Sequence, residues 1–386
     1  KAGLIKAVIK TAKSRLKAKN AKTVSQFIDS YYDNVPPSDF ADTSPDKLFG
    51  AALAHWQLAA KRQASKALVR VYNPNLEEDG WDCDHTVVDI INDDMPFLVD
   101  SITSELNRLE LTMHLVMHPV ITVLRSKNGK MDGLVPVSNL SPRAVSESYM
   151  HLQITKQSGK QLVEIRKGIE KVIKDVRSAV EDWVEMRATM SSITEELESK
   201  PKGVSAEDAA EAREFLRWAH DDHFTFLGHR DYDFIGNGKN ASVTVNRQSG
   251  LGILRTAKYL RSTFGKKQPP GTSAIELASI SQGDFLMVTK TNTVSSVHRS
   301  VHMDSIGIKR YDVKGKVIGQ RIFIGLFTSG AYNRSPQDIP LLRLKLQKVF
   351  QRSGFASDSH DGKALLNILE TYPRDELFQT SDDHLY

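Results

Sequence analysis

Only one cysteine, Cys83, occurs in 386 residues, so no disulfide can form within the chain and a reducing compartment is the expected setting. No run approaches the roughly 18 apolar residues of a membrane span, and the N-terminus lacks the apolar core of a secretory signal. A cytoplasmic protein with no membrane partner is expected. The short motifs that announce chemistry are also missing. A dinucleotide-binding turn needs G-x-G-x-x-G between a strand and a helix, and Gly250-Leu-Gly252-Ile-Leu-Arg255 supplies only its first two glycines. There is no G-x-x-x-x-G-K-[ST], no H-E-x-x-H, no paired C-x-x-C and no strand-to-helix nucleophile elbow. From its own motifs the chain is therefore expected to hold no catalytic residue, no cofactor and no metal.

What is present is an ordinary globular composition, 40% hydrophobic and 26% charged, with length enough for two or three domains. The chain starts at Lys1, and Thr380 to Tyr386 carry no evident terminating feature, so a segment of something longer is expected. The net charge of +5 is uneven: seven Lys and one Arg precede the first acid. Leu4, Ile5, Val8, Ile9, Ala12 and Leu16 give that basic stretch an apolar stripe. Such a helix either lies on an acidic or lipid surface or packs on its own protein. Nucleic acid is not an expected partner, because no recognised motif appears and aromatics are not interleaved with Lys and Arg.

The residues from His85 to Leu109 are the most informative. Val87, Val88, Ile90 and Ile91 read as a buried strand, Asn92-Asp93-Asp94 as a turn, and Asp94 as the N-cap of a helix with Pro96 in its first turn. Leu98, Ile102, Leu106 and Leu109 then make one apolar helical face. A strand-to-helix turn presents free N–H groups suited to a carboxylate, which makes Asn92, Asp93, Asp94 and Met95 the candidate effector-binding residues. The same turn can also do no more than cap the helix.

Along the chain, residues 1–66 read as a helical N-terminal extension. Residues 67–200 read as an α+β domain with strands at Ala67–Tyr72, around Pro119 in 111–125, near Met131–Val137 and at Tyr149–Thr155, and a hairpin at Ser126–Lys130. A second α+β domain, 201–334, is expected to carry strands at Phe224–Phe234, Ser242–Val245, Phe285–Thr289, Val294–Val301, Ile308–Val313 and Arg321–Phe327. Its hairpins fall at Asn237-Gly238-Lys239 and Lys314-Gly315-Lys316. Residues 335–386 read as helical. Two histidine groups carry metal-compatible ligands: His220 and His223 with His229 and Asp231, and His298 and His302 with Asp304. In a strand, His298 and His302 would lie about 13 Å apart, too far for one ion.

Three stretches carry a resemblance. Asn333-Arg-Ser-Pro-Gln-Asp-Ile-Pro-Leu-Leu-Arg343, then Arg352-Ser-Gly-Phe355 and Ser359 through Phe378, closely resemble the large bacterial NAD-specific glutamate dehydrogenases. Asp93 to Ser101 and Phe224 to Gly228 look like that family's N-terminal region. The resemblance implies two small antiparallel-sheet sandwiches, ACT-like and then ACT- or PAS-like, with helical segments at both ends. It implies a noncatalytic regulatory or assembly segment, with NAD used only by the catalytic part of the parent enzyme, which oxidises L-glutamate to 2-oxoglutarate and ammonia. An amino-acid effector, a downstream catalytic domain of the same chain and homo-oligomer formation are the implied partners. The alternative is a free-standing amino-acid sensor acting on a separate partner. Where the family's effector loop usually carries glycine, this chain has Phe97.

Overall fold

The computed structural model describes residues 2–40, 43–135, 142–235, 242–256, 284–356 and 358–385. It divides into two compact units, residues 1–174 with 296–299, and 175–295 with 300–386. The expected hairpin at Asn237-Gly238-Lys239 lies outside the described residues.

Unit 1 begins with three helices, α1 (Ala2–Arg15), α2 (Ala18–Tyr32) and α3 (Pro45–Leu58). The start of α3 follows from local chemistry: Ser44 Oγ accepts the Lys47 N–H at 3.3 Å, and Pro45 opens the first turn. The apolar stripe of α1 does not await a surface. Ile5, Val8 and Ala12 are buried in one cluster with Phe27, Tyr31 and Phe49. That cluster also contains Ile91, Met117, Ile121, Val123 and Tyr149 of the following sheet, so the N-terminal helices and the sheet share a core. Burying each large apolar side chain contributes roughly 1.5–3 kcal/mol.

The sheet is built from β1 (Leu68–Tyr72), β2 (Thr86–Asp93), β3 (Met113–Met117), β4 (Val120–Arg125), β5 (Met131–Leu134) and β6 (Ala144–Ile154). Between them lie α4 (Leu76–Asp79) and α5 (Leu98–Arg108), and α6 (Gly159–Glu181) follows the last strand. The strand order is β1-β2-β6-β4-β5, all antiparallel, with β3 on the same edge of β6 as β4. Pro119 marks the break: β3 pairs with residues 151–154 and β4 with 144–148, while the Pro119 carbonyl accepts the Tyr149 N–H at 2.9 Å. A residue that cannot donate to a ladder thus splits one β-rich run into two strands. The hairpin at Ser126–Lys130 turns through Gly129 at φ +82°.

Unit 2 carries α7 (Trp183–Glu196), α8 (Ala206–Trp218) and a second antiparallel sheet. Its strands are β7 (Phe224–Ile235), β8 (Ser242–Val245), β9 (Leu251–Gly252), β10 (Leu286–Val294), β11 (His302–Tyr311) and β12 (Val317–Phe327). They run in the order β10-β11-β12-β7-β8, with β9 paired to β7. The strand expected at Phe285–Thr289 runs on to Val294, and the separate strand expected at Val294–Val301 does not form. The polar run after Val294 forms a turn closed by the Ser295 N–H to Val301 carbonyl bond at 2.8 Å. Five short helices follow, α9 (Ser329–Asn333), α10 (Leu342–Ser353), α11 (His360–Thr371), α12 (Arg374–Gln379) and α13 (Asp382–Leu385). Leu342, Leu346, Val349, Leu369 and Leu377 join Phe215, Phe224, Phe226, Phe323 and Phe327 in one core.

Candidate functional site

The β2–α5 junction departs from the sequence reading in a specific way. Strand β2 runs on through Asn92 and Asp93, which pair with Ser148 and Glu147 of β6. Asn92 is fully buried, and its Nδ2 donates to the Asp93 carbonyl at 3.0 Å. Asp94 is exposed and donates its backbone N–H to the Ser146 carbonyl at 3.2 Å; it does not cap the helix. The N-cap is Phe97, and Pro96 lies before the helix instead of in its first turn. The strand wins over the turn because two ladder positions on β6 were available to Asn92 and Asp93.

Phe97 has φ +69°, the left-handed conformation that glycine adopts most readily. The backbone at this position therefore has the form a glycine would favour, with an aromatic ring in place of open space. Met95 is half-buried beside it. Close by, His118 Nε2 lies 2.6 Å from Ser148 Oγ; burial lowers the His118 pKa, and the Asp94 carboxylate offsets part of that. Segment 296–299 packs with unit 1, where the His298 N–H donates to Ser101 Oγ at 2.9 Å and His298 Nδ1 lies 3.0 Å from an Asp100 oxygen. His298 itself sits in a turn at φ +65°, not on a strand face with His302.

Behind the turn lies a buried ionic network. Asp93 accepts from Arg62 Nη2 at 2.6 Å, and Arg62 Nε donates to Glu147 Oε1 at 2.8 Å. Glu147 is 0% exposed and also holds Arg125 through two bonds of 2.9 and 2.7 Å. The remaining guanidinium groups reach carbonyls of Ala59, Lys66 and Gly129. Two buried cations thus share one fully buried carboxylate, and Asp93 supplies the second negative charge.

A second buried cluster was not singled out by the sequence. His55 of α3, Asp89 of β2 and His151 of β6 bring one candidate metal-ligating atom each within 4.8 Å of one another. Their hydrogen bonds close without an ion. His151 Nδ1 donates to Asp89 Oδ1 at 2.7 Å, and Tyr72 OH donates to Oδ2 at 3.2 Å. His55 Nε2 faces the Ile90 carbonyl at 3.3 Å, which assigns its proton there and leaves Nδ1 to accept from Tyr31 OH at 2.9 Å. Burial lowers the His55 pKa to about 4 despite the opposing Asp89 charge. Burial acts to raise the Asp89 pKa, but the two histidines outweigh it and the net shift is down. The Nδ1–Oδ1 separation of 2.7 Å is a hydrogen-bond length, shorter than neighbouring ligands keep around a tetrahedral ion. The only local signal was three polar residues inside apolar runs: A-L-A-H-W, V-V-D-I-I and Y-M-H-L-Q.

Among the described residues the other histidines form no group of three ligands, although His229 Nε2 lies 3.2 Å from Asp231 Oδ1. His223 Nδ1 lies 2.8 Å from the Trp218 carbonyl and its ring stacks on Trp218. His220 faces Arg187, while His229 is buried on β7 against Phe323. Gly252 serves a structural purpose at φ +59°: its N–H donates to the buried Asp182 carboxylate at 2.7 Å, and a Cβ there would lie 2.1 Å from the Leu227 carbonyl oxygen.

Residues 27–169 match the family model for the glutamate dehydrogenase ACT1 domain, and residues 339–386 match glutamate dehydrogenase helical motif 1. The chain is 36% identical to an NAD-specific glutamate dehydrogenase of Halomonas elongata, over 99% of this chain and 24% of that protein. It is 34% identical to the enzyme of that name from Pseudomonas aeruginosa, over 94% of this chain and 22% of the relative. The Mycobacterium tuberculosis protein of the same name is 28% identical, with coverages of 93% and 21%. The chain thus spans about a quarter of the length of the curated relatives it matches.

Proposed function

We infer that this chain, similar along nearly its whole length to the NAD-specific glutamate dehydrogenases, is a regulatory and assembly segment that leaves catalysis to another part of such an enzyme. The parent reaction would be oxidation of L-glutamate by NAD to 2-oxoglutarate, ammonia and NADH. The observation that carries the reading is the ACT1 match over 27–169, which contains the whole β2–α5 junction. In this reading the exposed Asp94 carboxylate and the neighbouring turn from Asn92 to Met95 receive an amino-acid effector. Asp94 meets the ammonium group, and N–H groups in the first turn of α5 meet the carboxylate. Asp93 stays engaged with Arg62, so ligand contact at the turn is one ion pair away from the buried Glu147 network. Regulation follows only if the effector binds two states of the parent enzyme with different affinity. The test is an assay of this chain with L-glutamate and NAD. No NADH formation is expected, and turnover at a rate typical of dehydrogenases would sink the reading.

A further inference from the structure

Arg230 stands out in unit 2. Among the described residues it is the largest fully buried side chain, 2% exposed. It occupies the face of β7 opposite His229, whose ring packs 4.3 Å from Phe323 of the core. Among the described residues nothing accepts a hydrogen bond or ion pair from its guanidinium, and Nε is buried without a partner. The contrast within the molecule is sharp. Arg62 and Arg125, the two deeply buried arginines of unit 1, are both held by Glu147.

A guanidinium cannot shed its proton to escape burial as a lysine or carboxyl group can, so its interior position calls for an anion. The backbone makes room for this group. A Cβ on Gly250 would lie 2.5 Å from Arg230 Nη2 and 3.0 Å from Nε. Gly228, on the same strand face, would carry a Cβ 2.9 Å from Leu254 and 3.2 Å from Ile324, so its missing side chain makes room for Leu254, and Gly250 is the glycine that makes room for the guanidinium. Arg247 adds a second positive charge from the turn that joins β8 to β9, both of which pair with β7; burial lowers the Arg230 pKa, Tyr232 offsets part of this and Arg247 adds to it. The next row across the same face holds Tyr232, Gln320 and Lys309.

We propose that Arg230, with Arg247 as a second cation, anchors a site in unit 2 for a small oxyanion, either the carboxylate of a metabolite or a phosphate group. The site is separate from the β2–α5 turn and does not rest on the role given to that turn. The planar fork of Arg230 is suited to a bidentate contact with either group.

The experiment titrates the whole chain with succinate and, separately, with inorganic phosphate, by calorimetry and by thermal unfolding. Saturable binding with a raised Tm is expected for one of them, and the one that binds identifies the source. Arg230→Met should weaken binding about tenfold or more. It should also raise the Tm of the ligand-free chain, because it removes a cation whose Nε is buried without a partner. An arginine with a purely structural role would give the opposite sign. Should Arg230→Met not fold, Arg247→Ala on the surface should still weaken binding severalfold, and Gly250→Ala should do so by crowding the guanidinium. The proposal is overturned if neither anion binds, if these variants bind as the parent chain does, or if Arg230→Met lowers the ligand-free Tm.

Discussion

Arg62 Nε lies 2.8 Å from Glu147 Oε1, a contact between the end of the N-terminal helical region and a strand 85 positions later, with both side chains buried. It joins the helices to the sheet by charge as well as by their common apolar core. Removing Arg62 takes one cation from both Asp93 and the fully buried Glu147 and leaves Glu147 only its bonds from Arg125 and Tyr149. Arg62→Ala is expected to lower the stability of unit 1 by about 3–5 kcal/mol in urea denaturation. A loss below about 1 kcal/mol would show the network to be dispensable.

The His55–Asp89–His151 cluster sets an acid limit. The folded His55 pKa is about 4 against 6.5 for the free side chain, so the unfolded chain binds a proton that the folded one refuses. Stability is therefore complete above about pH 6.5 and falls as the pH drops toward 4, by an amount on the order of 3 kcal/mol. His118, whose pKa burial also lowers, acts in the same direction. Asp89, with its pKa depressed, contributes stability that disappears only at lower pH. Denaturation midpoints measured at pH 7 and pH 5 should differ accordingly, and His55→Phe should flatten the difference. An unchanged midpoint between those two values would contradict the assigned neutral His55.

Phe97 gives a test of backbone strain. Phe97→Gly and Phe97→Ala both delete the ring, so their difference isolates the backbone term. At φ +69° glycine is expected to be the more stable by about 1 kcal/mol, the reverse of its usual rank. Equal stabilities would mean that the turn relaxes once the ring is gone.

Glu211 holds the entry to the C-terminal helices. Its Oε1 accepts the N–H of Leu341, itself at φ +70°, and both carboxylate oxygens hold Arg343 at 2.8 Å. Glu211→Ala should release this end of α10 and speed limited proteolysis near residue 341, with a stability loss of about 1–3 kcal/mol. Cleavage at the parent rate would show that the apolar contacts of Leu342 and Leu346 suffice.

The elements themselves were readable where residue pattern and burial agree. Val87 to Ile91 lie buried in a strand, and Leu98, Ile102 and Leu106 are the buried face of α5, as their spacing predicts. At Pro119 the sequence predicts an edge position or a bulge and the chain instead divides into two strands, while the hairpin at Gly129 follows from a permissive backbone. What failed was decided by partners distant in sequence. Asn92 and Asp93 remain strand because β6 pairs with them, and Phe97 supplies a left-handed N-cap that no propensity favours. The buried triad spans 96 positions from His55 to His151, and Arg230 lies in a strand that reads like any other. Neither has a local motif; both become visible only once burial is known.

The central claim is that an amino-acid effector binds at the β2–α5 turn. The most direct measurement is a calorimetric titration of this chain with a panel of amino acids, with NAD as the comparison ligand and Asp94→Ala as the control. Saturable binding of an amino acid, absent with NAD and lost in Asp94→Ala, is the predicted result. Binding of NAD, or amino-acid binding untouched by Asp94→Ala, would contradict it.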